Sequence, residues 1–432
     1  MTDEKRSNDL IRRALRARSS RRDVVRRGAA LGLSAPAVAA LTARSAGAQG
    51  TPPAFNSELS GEITFWHGLG TEAEPLTNTI LPLFEEQFPN VSVNVLQVPF
   101  DQLQNKYNTE ASAGGGPDVL LGPSDWIGGF VEADIILPLG DLMDEELRAG
   151  YNDASLSGVT FEDTLYAVPQ NINGVALFYN TDLVQDPPKT TEELKSMAGE
   201  LATGPDQYGF GLVANFYSNA GYLYGYGGDV LTEDGQQSAF DSEATVRFLT
   251  LLQELAQTEG VFTQADQGAV ESLFQEGQVA MMFNGPWFLQ GARDALGAEK
   301  VAVALLPAIS DNDNAPARPF VGVQGLYINS NLDPEQAELA FEFARWFSTV
   351  GTQILVDEAG QLPASTFVTV PEDEPAAETF VEQYEVGVAL PTAPLMQSVW
   401  TPAGDMITKV IEGQATPEEA AQEAAETINS AG

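Results

Sequence analysis

Hydrophobic residues recur along the chain with two alternating periods, which mark strands and helices in turn. Residues 62–66 form an apolar run and residues 91–95 alternate between apolar and polar, so both segments are predicted strands. Between them, residues 71–88 carry apolar side chains at helical spacing. A second predicted helix covers 100–113, and a third predicted strand covers 118–121. This order of strands and helices predicts an α/β protein with mainly parallel sheets.

Local start and stop signals place several helices. Asp333 and Thr416 are each followed by a proline and an acidic residue, which predicts that each is the N-cap of a helix. Pro82 lies inside the first predicted helix. Because proline lacks the N–H of a helical hydrogen bond, we expect it to interrupt that helix.

The first 48 residues have the composition of an export signal. Arg21 and Arg22 are adjacent, and residues 28–41 form an uncharged, largely apolar stretch that is too short to span a bilayer. Small residues follow at 46–48, as a signal peptidase requires. This order predicts a signal peptide of the twin-arginine pathway that is cleaved near Ala48. We therefore expect a periplasmic or extracellular protein that folds before export.

Charge and composition narrow the choice of partners. The chain has 21 Lys and Arg against 61 Asp and Glu, of which 11 and 4 precede residue 49, so the remainder carries a formal charge of −47. Such a charge repels nucleic acids and anionic membranes, so neither is an expected partner. The chain has no cysteine, which excludes disulfides, thiolate metal ligands and a lipid-anchoring cysteine. We expect a soluble monomer without a metal or cofactor.

Tryptophans collect where predicted elements end. Trp66 closes the first predicted strand, and Asp125 and Trp126 follow the third. Trp287 follows a later strand, and Trp400 is placed in a loop ahead of a helix. In open α/β sheets, ligands bind beyond the carboxyl ends of the strands. These positions therefore predict a binding site.

The residue types at these positions favour a carbohydrate ligand. An indole face packs against the apolar C–H face of a sugar ring, while Asp and Asn side chains hydrogen-bond to its hydroxyls. A single tryptophan after a strand is more often a core residue. Several of them together with Asp125, Asn173 and Asn284 shift the balance towards a site.

Six short segments also relate the chain to a known family. They are residues 62–66 (EITFW), 116–119 (GPDV), 165–169 (LYAVP), 177–183 (LFYNTDL), 284–287 (NGPW) and 320–323 (FVGV). Their order and spacing resemble those of the extracytoplasmic sugar-binding proteins of ABC importers, most closely the family 1 maltose/maltodextrin-binding proteins. The resemblance covers about residues 61–430. It implies a receptor, not an enzyme, that captures a sugar and delivers it to permease subunits.

The resemblance also implies a set of ligand-binding residues. Trp287 of the NGPW segment and Trp400 match stacking tryptophans of the family, and Tyr217 matches a stacking tyrosine. On the other side of the expected cleft, Asp125 matches a sugar-binding aspartate and Trp66 the aromatic residue of the first strand.

Some positions depart from the family pattern. Asn173 lies near a family glutamate, and Trp126 lies where the nearest relatives carry arginine. Gly122 stands where the family carries a tryptophan shortly after the GPD strand. Gly70 and Thr71 replace an Asp-Lys pair, and Gly404 replaces an arginine beyond the last tryptophan. These changes leave the kind and length of the sugar open. The segment Ser-Asp-Trp-Ile-Gly, which starts at Ser124, resembles that of maltooligosaccharide and cyclodextrin binders and favours an α-glucan.

The implied fold is a two-lobed, type II-like periplasmic-binding-protein fold. Each lobe is expected to hold a mainly parallel sheet with flanking helices, and crossing segments form the hinge. The expected boundaries are a signal peptide at 1–48, a flexible leader at 49–60, an N-terminal lobe at 61–171 plus 326–370 and a C-terminal lobe at 175–320 plus 378–432.

The same residues also bear on other possible functions. A secreted glycoside hydrolase needs two carboxylates across a sugar site, and only Asp125 is an evident candidate. A binder of another oligosaccharide or of a sugar phosphate would share the fold. An iron site would need a cluster of Tyr and His ligands, whereas the chain has a single histidine, His67. Residues 311–314 lack the glycine and the terminal glutamate of a calcium-binding loop. Tyrosines at 222, 224 and 226 predict one face of a strand or a patch that lines the cleft.

Overall fold

The computed structural model describes residues 52, 54–140, 142–371 and 374–431. The predicted signal peptide and its cleavage site lie outside the described residues. Of the predicted leader, Phe55 packs edge-on against Phe88, with ring centroids 6.3 Å apart. The guanidinium of Arg345 lies 4.4 Å from the centroid of the same ring. The end of the leader therefore contacts the first of the two cores defined below.

Two sheets and one short ladder contain the strands of the described residues. These are β1 Gly61–His67, β2 Val91–Gln97, β3 Val119–Pro123, β4 Thr160–Phe161, β5 Thr164–Leu165, β6 Ala167–Asn173, β7 Ala176–Asn180, β8 Phe210–Val213, β9 Val261–Gln264, β10 Met281–Asn284, β11 Val301–Ala304, β12 Phe320–Ile328 and β13 Val388–Ala389.

The first sheet has the order β2-β1-β3-β12-β13, and β6 also pairs with β12. β1 is parallel to β2 and β3, so that Phe65 lies opposite both Val95 and Val119. The carboxyl ends of these three strands therefore share one edge of the sheet. β12 is antiparallel to β3 and β6 and parallel to β13.

The second sheet has the order β11-β7-β10-β8-β9. β8 is parallel to β9 and β10, whereas β7 is antiparallel to β10 and β11. The predicted α/β class is confirmed, but both sheets are mixed. Alternating strands and helices predict only parallel pairs. Two strands depart from this pattern: β7 is antiparallel to both β10 and β11, and β12 is antiparallel to β3 and β6.

Helices cover both sheets. They are α1 Ala73–Pro75, α2 Leu81–Gln87, α3 Phe100–Ser112, α4 Ile127–Glu132, α5 Glu145–Arg148, α6 Asp153–Gly158, α7 Thr191–Leu201, α8 Phe216–Gly225, α9 Glu243–Gln257, α10 Gln267–Gln275, α11 Pro286–Leu296, α12 Pro334–Trp346, α13 Thr352–Ala359, α14 Pro375–Val386, α15 Trp400–Ile411 and α16 Pro417–Asn429. Short 3₁₀ helices lie at Ser124–Trp126, Ala298–Lys300 and Pro394–Ser398, and π-helical segments at Leu76–Ile80 and Phe347–Gly351. Across the described ranges, no helix is long and apolar enough to cross a membrane.

The helix signals in the sequence act as predicted. Asp333 caps α12 through the backbone N–H of Gln336, and Thr416 forms a capping box with Glu419 at the start of α16. Before Pro82 the helix widens, because the N–H of Leu81 bonds to the carbonyl of Leu76 five residues earlier. The expected interruption is thus a π-helical segment.

Two local predictions were wrong. Tyr222 and Tyr224 lie in helix α8, not in a strand, and Tyr226 is its C-cap. Trp400 is the first residue of helix α15, whereas the sequence placed it in the preceding loop. At α8, aromatic residues without a clear helical stripe concealed the helix, whereas helix α15 was expected and only its first residue was misplaced.

Buried apolar side chains form two main cores, which define the two lobes. The first lobe is built around residues from Ile63 to Val168 and from Val323 to Ala364. The second lobe is built around residues from Val175 to Phe283 and from Leu306 to Ile428 with interruptions, and a smaller core adjoins it. Strand β12 contributes to both lobes, because Phe320 is in the second core and Leu326 in the first. The chain therefore passes between the lobes along this strand.

Candidate ligand-binding cleft

The ends of β1 and β3 bring three predicted ligand residues to one edge of the first sheet. Trp66 is the penultimate residue of β1, and Asp125 and Trp126 belong to the 3₁₀ helix after β3. Their exposed fractions are only 8%, 2% and 4%, respectively. The ammonium of Lys106 lies 4.5 Å from the centroid of the Trp66 ring. One face of this indole is therefore already covered by a cation.

The ring of Trp126 lies against Gly122, the position at which the family resemblance leads us to expect a tryptophan. A Cβ at Gly122 would lie 2.5 Å from Cζ3 of Trp126. Trp126 is held between Phe100 and Phe130, with ring centroids 5.7 and 5.8 Å away. A side chain at 122 and this position of the Trp126 ring therefore exclude each other, which accounts for the glycine.

Tyr217, Trp287 and Trp400 form a half-buried group on the second lobe, called the aromatic wall below. They lie in the first turns of α8, α11 and α15. The centroid of Tyr217 is 6.1 Å from that of Trp287 and 6.3 Å from that of Trp400. A Cβ at Gly285 would lie 2.0 Å from Cζ3 of Trp287, so glycine there lets the indole fold back over the helix start. The predicted stacking residues are thus brought together.

A hydrogen bond connects the aromatic wall to the first lobe. Nε1 of Trp400 donates to Oδ2 of Asp125 at 2.9 Å. Burial raises the pKa of the Asp125 carboxyl to about 7, although this indole N–H and a backbone hydrogen bond partly lower it. Burial also raises the pKa of the Tyr217 hydroxyl, and the nearby Asp125 adds to that shift. Around neutral pH, Asp125 is therefore present both as a carboxylate that accepts and as a carboxyl that donates.

The lobes touch beside this bond, at the start of helix α4. A Cβ at Gly128 would lie 2.3 Å from the carbonyl oxygen of Thr392 and 2.6 Å from the backbone nitrogen of Pro394. Nε2 of Gln397 donates to the carbonyl oxygen of Trp126 at 3.4 Å. Glycine at position 128 therefore permits a backbone contact between the lobes that a larger residue would prevent.

Asn173 lies at the crossing between the lobes. It ends β6, is half-buried and pairs with Gly322 of β12. At the next residue, Gly174, a Cβ would lie 2.7 Å from the carbonyl oxygen of Phe320. The position is thus fixed by close backbone packing, and the ligand role of Asn173 stays a prediction.

A buried polar group in the segment after β1 was missed by the sequence reasoning. Glu72, which follows the Gly70-Thr71 departure, is 3% exposed, and its Oε1 accepts from Nε2 of Gln361 at 3.2 Å. Burial raises the pKa of Glu72, and the carboxylate of Glu271 on the second lobe raises it further. Nδ2 of Asn284 donates to Oε1 of Glu271 at 2.8 Å. The available signal was an acidic residue directly after the first strand, where ligands bind in such sheets.

The single histidine has a structural environment. His67 is 2% exposed, and its Nδ1 accepts from the backbone N–H of Leu69 at 3.2 Å. Burial lowers the pKa of His67 to about 4, so the ring is neutral at physiological pH. Among the described residues, no cluster of three or more His, Asp or Glu side chains could hold a metal ion. This arrangement favours a structural role for His67, as a hydrogen-bonded residue without a part in ligand binding.

The sequence is similar to those of known binding proteins. A maltotriose-binding protein of Pyrococcus abyssi (strain GE5 / Orsay) is 27% identical over 365 residues, which cover 82% of this chain and 78% of that protein. A galactooligosaccharide-binding protein of Bacillus subtilis (strain 168) is 28% identical over 413 residues, which cover 90% of this chain and 94% of that protein.

Comparison with solved structures and family models agrees with these matches. The maltotriose-binding protein of Thermus thermophilus, solved with bound maltotriose, matches with a TM-score of 0.78 at 26% identity, over 85% of this chain and 99% of that one. The predicted two-lobed fold is therefore confirmed. The model of the bacterial extracellular solute-binding protein family matches residues 67–354, which is most of the chain. This protein therefore belongs to the family of bacterial extracellular solute-binding proteins.

Proposed function

We propose that this protein captures an oligosaccharide between its two lobes outside the cytoplasm and delivers it to the permease of an ABC importer. The bond from Trp400 to Asp125 carries the proposal. It places a polar group of one lobe against the aromatic wall of the other, within reach of one small ligand. A sugar ring needs both kinds of contact, an apolar face and polar partners for its rim of hydroxyls.

Within this cleft the residues have different roles. The aromatic wall stacks on the apolar faces of the sugar rings. Asp125 and Asn173 hydrogen-bond to hydroxyls, and the exposed edges of Trp66 and Trp126 line the floor. Binding involves no chemical step in this proposal, because the family is one of receptors.

An α-glucan is the preferred ligand. The Pyrococcus and Thermus relatives are maltotriose-binding proteins, and the Ser124 segment resembles that of maltooligosaccharide binders. The Bacillus relative, a galactooligosaccharide-binding protein, supports a galactooligosaccharide as the second candidate. Both candidates use the same contacts, so the test must compare them directly.

A thermal-shift screen of the mature protein tests the proposal. Ligand that binds only the folded state stabilises it by RT ln(1 + [L]/Kd), so a true ligand raises the melting temperature with concentration. We expect maltose, maltotriose or a cyclodextrin to raise it more than galactooligosaccharides do. A shift with galactooligosaccharides alone would move the ligand to that class, and no shift with any sugar would refute the proposed function.

Closure of the two lobes around the ligand is the proposed mechanism. The lobes are taken to comprise 61–171 plus 326–370 and 175–320 plus 378–432, with the crossings as hinge. Ligand favours the closed form because only there do Asp125 and the aromatic wall both reach it. Small-angle scattering should record compaction on saturation with sugar.

Export and assembly complete the proposal. The mature protein acts as a monomer without a lipid anchor, and residues 1–48 direct it through the twin-arginine pathway. Replacing Arg21 and Arg22 by lysine should leave unprocessed precursor inside the cell, measured by fractionation. Normal export of that variant would refute this route but not the binding function.

A further inference from the structure

Phe100 is the most exposed large apolar side chain of the described residues. It is the first residue of α3, and 53% of its surface is accessible. Such exposure has a cost in water, because apolar surface is normally buried. A single exposed apolar residue needs no explanation, so the argument depends on what holds Phe100 in place.

A row of aromatic rings fixes Phe100 at the edge of the cleft. Its ring lies 5.7 Å from that of Trp126 at an interplanar angle of 32°, and Trp126 lies 5.8 Å from the fully buried Phe130. A Cβ at Gly68 would lie 3.1 Å from Cδ2 of Phe100, so the turn after β1 also packs against this ring. Phe100 is therefore held by residues that follow β1 and β3, beside Asp125.

A polar atom without a partner lies one helical turn away. Gln104 follows Phe100 by four residues on α3, which places both on the same face of the helix. Nε2 of Gln104 is buried and has no hydrogen-bond partner among the described residues. A buried donor without a partner costs free energy, and rotation of the half-buried Gln104 side chain towards a ligand hydroxyl would recover it. An aromatic face with such a donor beside it is the combination that a sugar ring uses.

We propose that Phe100 and Gln104 form an outer subsite that binds one further sugar unit of an oligosaccharide whose other units lie between Asp125 and the aromatic wall. This inference rests on the proposed function and adds a chain-length preference to it. The free face of Phe100 stacks on the additional ring, and Gln104 hydrogen-bonds to its hydroxyls. Trp126 positions Phe100, so the subsite is rigid before ligand arrives.

Titration calorimetry on the mature protein tests the subsite. Wild type and Phe100→Ala are titrated with the maltooligosaccharides from maltose to maltoheptaose and with a galactooligosaccharide series. Loss of one stacking contact should weaken binding of the longer chains about five- to tenfold and leave the shortest bound sugar within about twofold. Phe100→Trp should restore the preference for long chains.

Controls separate the subsite from other roles of exposed apolar surface. Leu305→Ala removes a side chain with 41% exposure on the second lobe and should leave every affinity unchanged. Gln104→Ala should weaken the same long sugars as Phe100→Ala. An equal loss of affinity for all chain lengths would overturn the subsite and indicate a general packing role for Phe100. Unchanged affinities together with reduced sugar uptake in cells would also overturn it and indicate docking to the permease. Absence of binding to every sugar by wild type would overturn the proposed function and the subsite together.

Discussion

The two sides of the cleft hold their aromatic residues in different ways. On the first lobe, Trp66 near the end of β1 and Trp126 just after β3 are almost inaccessible. On the second lobe, Tyr217, Trp287 and Trp400 begin helices and are half-buried. A ring at the end of a central strand is packed by elements on both faces of the sheet, whereas a ring in a first helical turn has one free side. The element that carries an aromatic residue, more than its type, decides whether a face remains for a ligand.

The largest expected effect concerns stability on the first lobe. Trp126→Ala should lower the free energy of unfolding by about 3–5 kcal/mol, because it removes a buried ring between Phe100 and Phe130. Denaturant unfolding measures the loss. Trp287→Ala is the matched control and should cost clearly less, because Trp287 is only half-buried. Equal losses for the two variants would remove the distinction between the lobes.

The next effect concerns affinity on the second lobe. Trp400→Ala removes a stacking face and the donor to Asp125, so it should cost about 2–4 kcal/mol of binding free energy in calorimetry. Trp400→Phe keeps a ring and loses only the N–H, so it should cost about 1 kcal/mol. If Trp66→Ala weakened binding more than Trp400→Ala at unchanged stability, the stacking surface would lie on the first lobe instead.

A smaller effect tests the contact between the lobes. Gly128→Ala should hinder closure, because its Cβ would lie 2.3 Å from the carbonyl oxygen of Thr392, and overpacking costs about 1–3 kcal/mol. Gly140→Ala is the control, because a Cβ there has no heavy atom of another segment within 4 Å. Scattering should show less compaction with ligand for Gly128→Ala than for Gly140→Ala. The same compaction in both would show that the lobes can meet without this glycine.

The smallest effect is a dependence of closure on pH. With the lobes in contact as in this structure, burial raises the pKa of Asp125 from 3.8 to about 7, so protonation favours the contact between the lobes. That contribution is complete below the pKa of the hydrated carboxyl and is lost as the pH rises through about 7. Without ligand, the radius of gyration should increase slightly over this range, because opening rehydrates Asp125. Asp125→Asn cannot ionise and should remove most of the change; an identical pH profile would assign it to another group, such as Glu72.

Much of the fold could be predicted because it depends on local patterns. The first three strands and the helices at 100–113, Asp333 and Thr416 follow from periodicity and capping residues. The GPD segment has a structural role that its sequence does not show: Oδ2 of Asp118 accepts from both the backbone N–H and the hydroxyl of Thr64 at 2.6 Å, and thereby ties the start of β3 to β1. A weak sequence motif can thus mark a structural bond rather than a ligand contact.

The remaining features depend on contacts between distant segments. The direction of β12 follows from its passage between the lobes, and the burial of Glu72 follows from Gln361 and the second lobe. Neither leaves a periodic signal in the sequence. The sequence predicted which residue types form the candidate site. It did not distinguish the buried Trp66 and Trp126 from the half-buried aromatic wall, because burial depends on three-dimensional packing.

Strand β12 has a consequence for how the protein is made. It lies between β3 and β13 in the first sheet, although its residues, Phe320–Ile328, come late in the chain. The first lobe therefore cannot complete its sheet while the ribosome is still translating the segments that form most of the second lobe. Folding of the first lobe must wait until late in synthesis, and a chain secreted during translation would finish folding without cytoplasmic chaperones. An export route that accepts completed proteins suits a sheet whose central strand is synthesised this late.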